Sequence, residues 1–327
     1  MSSTESEILA VVGPTASGKT ELGLRLARER GGEIISVDSR QVYRKLSVGT
    51  AKPNGTWERE MYLVDGVPYH LVDIRDPSQT FTAADFVRLA QEKIAEVRAH
   101  GSRPILVGGT GLYFKAFSEG LAPLPTRDDA LRQELQALAE QKGRAYLHAE
   151  LARVDPIAAT RIPANNIQRL VRALEVFRLT GKPISQWHSE HQAKKPSSGE
   201  ALSMIGIERT REDLQERIEK RCTAMINEGV IEETEKLLKE GYTPDCPALT
   251  GLGYPRVIAY LSGLLSRDQL REALIRDTRQ YAKRQRTWFR NQCKVIWTQP
   301  SPKDGFGGSI RRRLGYGGLV RRSFEGA

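Results

Sequence analysis

Long apolar runs are missing from this chain of 327 residues. No stretch approaches the ~20 consecutive apolar residues of a membrane-spanning helix. Met1 to Glu7 are polar and acidic, unlike a secretory signal, so the expected compartment is the cytoplasm and no membrane partner is expected. Cysteine is scarce. The three present, Cys222, Cys246 and Cys293, are odd in number and far apart, which fits reduced structural thiols and gives no metal-ligand spacing. Two signatures of nucleotide hydrolases are also absent. No convincing Walker-B aspartate follows a run of four apolar residues; Val72-Asp73 is the nearest candidate, and Asp73 is assigned to the fold. No Asn-Lys-x-Asp base-reading motif occurs. Both absences count against kinase, ATPase and GTPase readings.

What is present is a complete phosphate loop of the nucleotide-binding, ATP-binding type, Gly13-Pro14-Thr15-Ala16-Ser17-Gly18-Lys19-Thr20. Ile8 to Val12 lead in as a buried strand, and Glu21 to Arg30 lead out as an amphipathic helix. The glycines let successive N–H groups point at phosphate oxygens. The helix N-terminus adds partial positive charge, Lys19 a full one, and Thr20 a hydroxyl for Mg²⁺. The spacing and the strand–loop–helix context together predict binding of a di- or triphosphate.

The net charge of +10 is lopsided. Residues 1–120 hold 15 basic and 15 acidic residues, whereas residues 121–327 hold 35 and 25, so the whole excess lies in the second part. A basic part beside a neutral one points to a polyanionic partner, with nucleic acid foremost. The pattern predicts an α/β fold, a P-loop parallel-sheet core with a helical insertion domain. Strands are expected at Glu33–Asp38, Tyr69–Ile74, Pro104–Val107, Ala201–Ile207 and Val295–Trp297. Helices are expected from Thr82 to Ala99, 211–228, 230–240 and 267–291. Residues 128–191 read as helical throughout. The organisation expected is a catalytic core from 1–120 and 201–300, an insertion at 121–200 that includes a polar linker, and a flexible basic tail at 301–327. That tail has seven glycines and the runs Arg311-Arg312-Arg313 and Arg321-Arg322.

Two residues stand where chemistry belongs in such a sheet, beyond the carboxyl ends of strands. Asp38 ends the second strand, where a carboxylate can hold Mg²⁺, act as a general base or cap a turn. Thr110, in Gly108-Gly109-Thr110-Gly111, can meet a phosphate through its hydroxyl or simply mark a tight turn. The aromatic residues Tyr254, Trp288 and Phe289 can stack on bases, but core packing is their commoner fate.

Taken in order, a longer series of segments resembles one family. After the phosphate loop come Asp38-Ser39-Arg40-Gln41-Val42-Tyr43, Val48-Gly49-Thr50-Ala51-Lys52-Pro53 and Leu71-Val72-Asp73-Ile74. Val107-Gly108-Gly109-Thr110-Gly111-Leu112-Tyr113, Gln168 to Glu175 and Ala282 to Trp288 complete it. The series is similar to the bacterial tRNA dimethylallyltransferases from about Ile8 to Trp297, leaving only the tail uncovered. The resemblance implies transfer of a dimethylallyl group from dimethylallyl diphosphate to N6 of the adenosine 3′ to the anticodon, in tRNAs reading codons that start with U. It implies Mg²⁺ as cofactor, held by Thr20, and the tRNA anticodon arm as partner. Asp38, Thr110, Arg217 and Lys19 become the expected catalytic residues, and Gly13 to Thr20 the diphosphate cradle. For tRNA, it implies contacts from Asp38, Ser39, Arg40, Gln41 and Thr110. Further contacts fall to Arg132, Gln168, Arg169, Leu170, Val171, Arg172, Lys283, Arg284 and Arg286. A monomer is expected. A P-loop small-molecule kinase, an adenylate isopentenyltransferase and a nucleotide-sensing nucleic-acid-binding module are the rival readings.

Overall fold

The computed structural model describes residues 8–193 and 202–300. The acidic N-terminus, most of the polar linker and the basic tail lie outside the described residues. Those described fall into two compact units, one drawn from 8–118 and 202–300, the other from 119–193.

The first unit begins with β1 (Ile8–Val12), the phosphate loop, α1 (Lys19–Arg30) and β2 (Gly32–Val37). It continues through β3 (Thr56–Glu58), β4 (Met61–Val64), β5 (Val67–His70), α2 (Ala83–Ala99), β6 (Arg103–Gly108) and α3 (Gly111–Glu119). The second unit is wholly helical: α4 (Asp129–Lys142), α5 (Arg144–Val154), α6 (Pro156–Arg161), α7 (Ile167–Thr180) and α8 (Ile184–Ala193). The chain then returns as β7 (Leu202–Ile207), α9 (Arg211–Asn227), α10 (Val230–Lys239), α11 (Tyr254–Leu261), α12 (Arg267–Gln292) and β8 (Val295–Thr298).

The sheet runs β3-β4-β5-β2-β6-β1-β7-β8. From β5 to β8 every pairing is parallel, and β1 is central, between β6 and β7. A parallel sheet covered on both faces needs strands apolar on both sides, and β1 complies, with no residue more than 8% exposed. Leu9 and Val11 pack with Leu22 and Leu26 of α1 on one face. Ile8, Ala10 and Val12 pack with Phe86, Phe114 and Phe289 on the other. Helix α2 starts at a capping box, Thr82 and Asp85 satisfying one another's backbone N–H.

Two expectations need correction. The strand expected over Tyr69–Ile74 is β5, four residues ending at His70. Leu71 and Asp73 take φ of +61° and +53°, and the N–H groups of Asp73 and Ile74 donate to Gln41 and Val42 instead of a ladder. The sheet is also not parallel throughout. Strands β3 and β4 extend it as an antiparallel hairpin joined to β5. Asp65-Gly66 is the turn from β4 into β5, both residues at positive φ as a tight hairpin turn demands. Helix α11 is an addition, although Tyr254, Val257, Ile258 and Leu261 stand at i, i+3, i+4 and i+7, a helical period carried by the sequence.

In the helical unit, α4, α5 and α7 close around Leu135, Leu147, Leu151, Leu170 and Leu174. Glu175 of α7 is fully buried there, its carboxylate accepting hydrogen bonds from Arg132 (3.1 Å), Arg172 (2.8 Å) and the Asp128 N–H (2.8 Å). A buried carboxylate survives only with such a complete set of partners.

Candidate active site

The phosphate loop turns from the carboxyl end of β1 into α1. Gly18 caps that helix at φ +96°, a conformation that L side chains avoid, and Ala16 is held at φ +64°. Ser17 is fully buried, and its hydroxyl has no hydrogen-bond partner among the described residues. A buried polar atom left unsatisfied inside a phosphate loop is a donor waiting for an anion. Lys19, at the first turn of α1, has its pKa lowered to about 8, first by burial, then by the neighbouring Arg221, with Asp38 opposing both.

Beside the loop opens a cleft of about 580 Å³, within the size range of small-molecule sites. Thr15 of the loop, Asp38 and Ser39 beyond β2, Gly49 and Thr50, and Arg221 of α9 contribute to its walls. Asp38 accepts the N–H groups of Arg40 (2.8 Å) and Gln41 (3.2 Å), both at Oδ1. No hydrogen bond from the described residues reaches Oδ2. This carboxylate is the electrostatic partner of Lys19 and Arg221 alike. Burial pulls the Arg221 guanidinium below its ordinary pKa and Asp38 restores part of it. Asp38 and Asp277 line the cleft against Arg40, Arg221, Arg256 and Arg284, with Lys19 beside it, so it carries a net positive charge towards an anionic ligand.

Several expected site residues fall elsewhere. Arg217 does not line the cleft. It is paired with Asp213 at 3.0 Å, and its side chain is 43% exposed. Arg221, one helical turn further on, faces the cleft instead. Arg217 still connects to the loop, through Asp213, which accepts from Arg209 at 2.7 Å, whose Nε donates to the Ser17 carbonyl at 2.6 Å. Burial pushes the Asp213 carboxyl up, but its two arginine partners outweigh that and lower its pKa. Gln41 is buried with its amide occupied, Oε1 accepting from Ser36 and Nε2 donating to Ala51, so it does not face the cleft. Arg40 lines it, with its guanidinium donating to the Pro247 carbonyl at 2.6 Å.

Thr110 stands at the end of β6 beside Asp38, its N–H on the Val37 carbonyl and its own carbonyl starting α3. The glycines flanking it serve close packing. A Cβ on Gly109 would lie 2.3 Å from Gln285 Nε2, and one on Gly111 2.0 Å from the Trp288 ring. Tyr254 and Phe289 are fully buried in the interior, and Trp288 is partly buried against Gly111.

Sequence reasoning missed Glu233. From α10 its carboxylate accepts the N–H groups of Ser47 (2.5 Å), Val48 (2.8 Å) and Gly49 (3.0 Å) and the Tyr254 hydroxyl (2.8 Å). It therefore shapes the Val48-Gly49-Thr50 wall of the cleft. Burial, reinforced by Glu233, raises the Tyr254 pKa well above the phenol value. No spacing in the sequence announces this partnership, because its members are separated by some 180 residues. Asp73 is a fold residue as expected, paired with the buried Lys52.

Among the residues expected to meet tRNA, Lys283 and Arg284 are exposed on α12, and Arg286 is half-buried. In the helical unit, Gln168 and Arg169 are exposed at the start of α7. Leu170 and Val171 are at most 2% exposed, because α7 turns them into its core, so their side chains present no surface to a partner. Arg132 and Arg172 are about three-quarters buried and tied to Glu175, which assigns them to the fold.

Sheet order and loop position put the molecule among the P-loop α/β proteins. A family model described as IPP transferase matches residues 41–292. A tRNA dimethylallyltransferase of Geobacter sulfurreducens is 48% identical over 90% of this chain and 93% of its own. The solved tRNA isopentenylpyrophosphate transferase of Bacillus halodurans is 41% identical, with a TM-score of 0.63 over 90% of each chain. A eukaryotic dimethylallyltransferase solved acting on tRNA shares the fold at 23% identity and a TM-score of 0.67, over 89% of this chain and 73% of that one. The chain belongs to the IPP transferase family.

Proposed function

We propose that this protein is a tRNA dimethylallyltransferase, moving a dimethylallyl group from its diphosphate to N6 of the adenosine 3′ to the anticodon. The tRNAs concerned are those reading codons that start with U. The observation that carries the chemistry is the grouping of Asp38 with Lys19 and Arg221 at the mouth of the phosphate loop.

An exocyclic adenine amine is a weak nucleophile and must lose a proton as it attacks. N6 forms a bond to C1 of the dimethylallyl group, the C1–O bond breaks, diphosphate leaves, and the N6 proton passes to the Asp38 carboxylate. Hydrogen bonds from the Arg40 and Gln41 backbone fix that carboxylate. Charge gathers on the departing diphosphate, and donors already aimed at it lower the barrier. Lys19, Arg221, the Ser17 hydroxyl and the loop amides supply them, with Thr110 at the adjoining strand end. The adenine leaves its stack to reach the cleft, as base-modifying enzymes require.

The Thr20 hydroxyl suits Mg²⁺. Mg²⁺ keeps most of its waters and leans on substrate phosphates, so it asks for few protein ligands. When bound, Mg²⁺ would offset charge on the diphosphate. The basic face of α12 at Lys283, Arg284 and Arg286 would engage the tRNA backbone through phosphates. A soluble monomer in the cytoplasm is the working state for such an enzyme.

The test is to incubate the protein with labelled dimethylallyl diphosphate, Mg²⁺ and unmodified tRNA, and in parallel with AMP or ATP as acceptor. Label should enter tRNA alone. Hydrolysis or transfer from ATP with unlabelled tRNA would refute the reading.

A further inference from the structure

Gln285 lies on the buried side of α12, in the same helical turn as the outward basic residues, and is 7% exposed. Its Oε1 accepts the Thr15 N–H of the phosphate loop at 2.8 Å. Its Nε2 donates to the Gly109 carbonyl at 2.9 Å. The partners fix the amide's orientation, since an N–H needs an acceptor and a carbonyl needs a donor. One side chain thus bridges the end of β1 to the end of β6, the two places from which Lys19 and Thr110 are presented. Gly109 leaves room for it, and Trp288, one turn on, seats against Gly111. A carboxylate of the same length supplies the acceptor without the donor, and a thioether supplies no donor and only a weak acceptor.

We infer that Gln285 is a positioning residue for the diphosphate site, clasping the phosphate loop to the Gly109-Thr110 turn so that the donors on both face one leaving group. It touches no reacting atom. The inference rests on the transferase reading for the identity of the ligand, but the clasp is testable by ligand binding alone.

The experiment compares wild type, Gln285→Met and Gln285→Glu. It reads steady-state kinetics with dimethylallyl diphosphate and tRNA, tRNA affinity, melting temperature, and affinity for unreactive dimethylallyl thiolodiphosphate. A misplacement of reacting groups by about 1 Å costs on the order of 10²-fold. Gln285→Met should therefore lose about that factor in kcat/KM for the allylic diphosphate. Its thiolodiphosphate affinity should fall about tenfold and its tRNA affinity stay within twofold, because Lys283, Arg284 and Arg286 are unchanged. Gln285→Glu, with half the clasp, should fall between. Wild-type kcat/KM and thiolodiphosphate affinity in a folded variant would overturn the inference. So would a loss of tRNA affinity equal to the loss in kcat/KM, the mark of general disruption of α12. If Gln285→Met does not fold, Gln285→Glu decides by the same two readouts. Failure of the wild type to label tRNA would refute the transferase reading, while the thiolodiphosphate affinities would still judge the clasp.

Discussion

Lys19 makes the affinity for the allylic diphosphate depend on pH. Burial and Arg221 lower its pKa from 10.5 to about 8 in the ligand-free protein. About nine-tenths of the molecules then carry the Lys19 charge at pH 7 and about one-tenth at pH 9. A terminal phosphate loses its last proton near pH 6 (roughly), so the ligand's own charge is constant over this interval. If only the ammonium form grips the diphosphate, affinity for dimethylallyl thiolodiphosphate falls about tenfold between pH 7 and pH 9. At pH 9 binding should take up close to one proton per site, measurable by titration calorimetry in buffers of different ionisation enthalpy. The linked effect on folding has the opposite sense. A lysine whose folded pKa is depressed leaves the unfolded chain holding more protons between about pH 8 and 10.5, so the ligand-free protein gains stability as pH rises through that window. The charged form costs roughly 3 kcal/mol below it, at about 1.4 kcal/mol per unit of pKa. Lys19→Arg places a charge that does not titrate here, so its affinity should be flat with pH. A flat wild-type profile, or an equal slope in Lys19→Arg, would refute the assignment.

Replacing Asp38 by Ala should lower turnover by about 10²–10⁴-fold while tRNA binding persists in a filter-binding assay; unchanged turnover would remove it as the base. Arg221→Met should raise KM for the allylic diphosphate well beyond the effect of Arg217→Met, since only Arg221 lines the cleft. Kinetics showing the reverse order would return the direct role to Arg217. Glu175→Ala should destabilise the helical unit by about 3–5 kcal/mol, because it strands two partly buried arginines. Urea denaturation followed by circular dichroism reads that loss, and a change under 1 kcal/mol (roughly) would contradict the role given to the pair.

The strand–loop–helix at residues 8–30 was legible because each step there is local. A buried strand, a glycine loop and a helix N-terminus depend on neighbours within a few residues. Asp38 was legible for the same reason, as the charged residue that closes a mostly apolar strand in a sheet whose ligands bind at strand ends. The helices α2, α9, α10 and α12 announced themselves by periodicity and caps. The turn from β4 to β5 was written in Asp65-Gly66 but passed over, and the strand expected to Ile74 overran β5 by four residues, two of them at positive φ. Arg217 and Arg221 show the limit of helical spacing. They sit four apart on one helix, and sequence alone could not say which of the two meets the cleft.

By itself the sequence determined that the chain holds a phosphate loop, which strand feeds it, and that an acid follows the next strand. These are properties of short segments, and hydrophobic periodicity carries them. Only the tertiary structure decided which charges converge. It brought Arg221 rather than Arg217 to Lys19 and Asp38, spent Arg132 and Arg172 on a buried glutamate, and set Glu233 and Gln285 behind the cleft walls. Apart from Arg172, three residues before Glu175 on one helix, those partners stand about 40 to 270 positions apart. Electrostatics and hydrogen bonding act through space, and the folded sheet sets those distances.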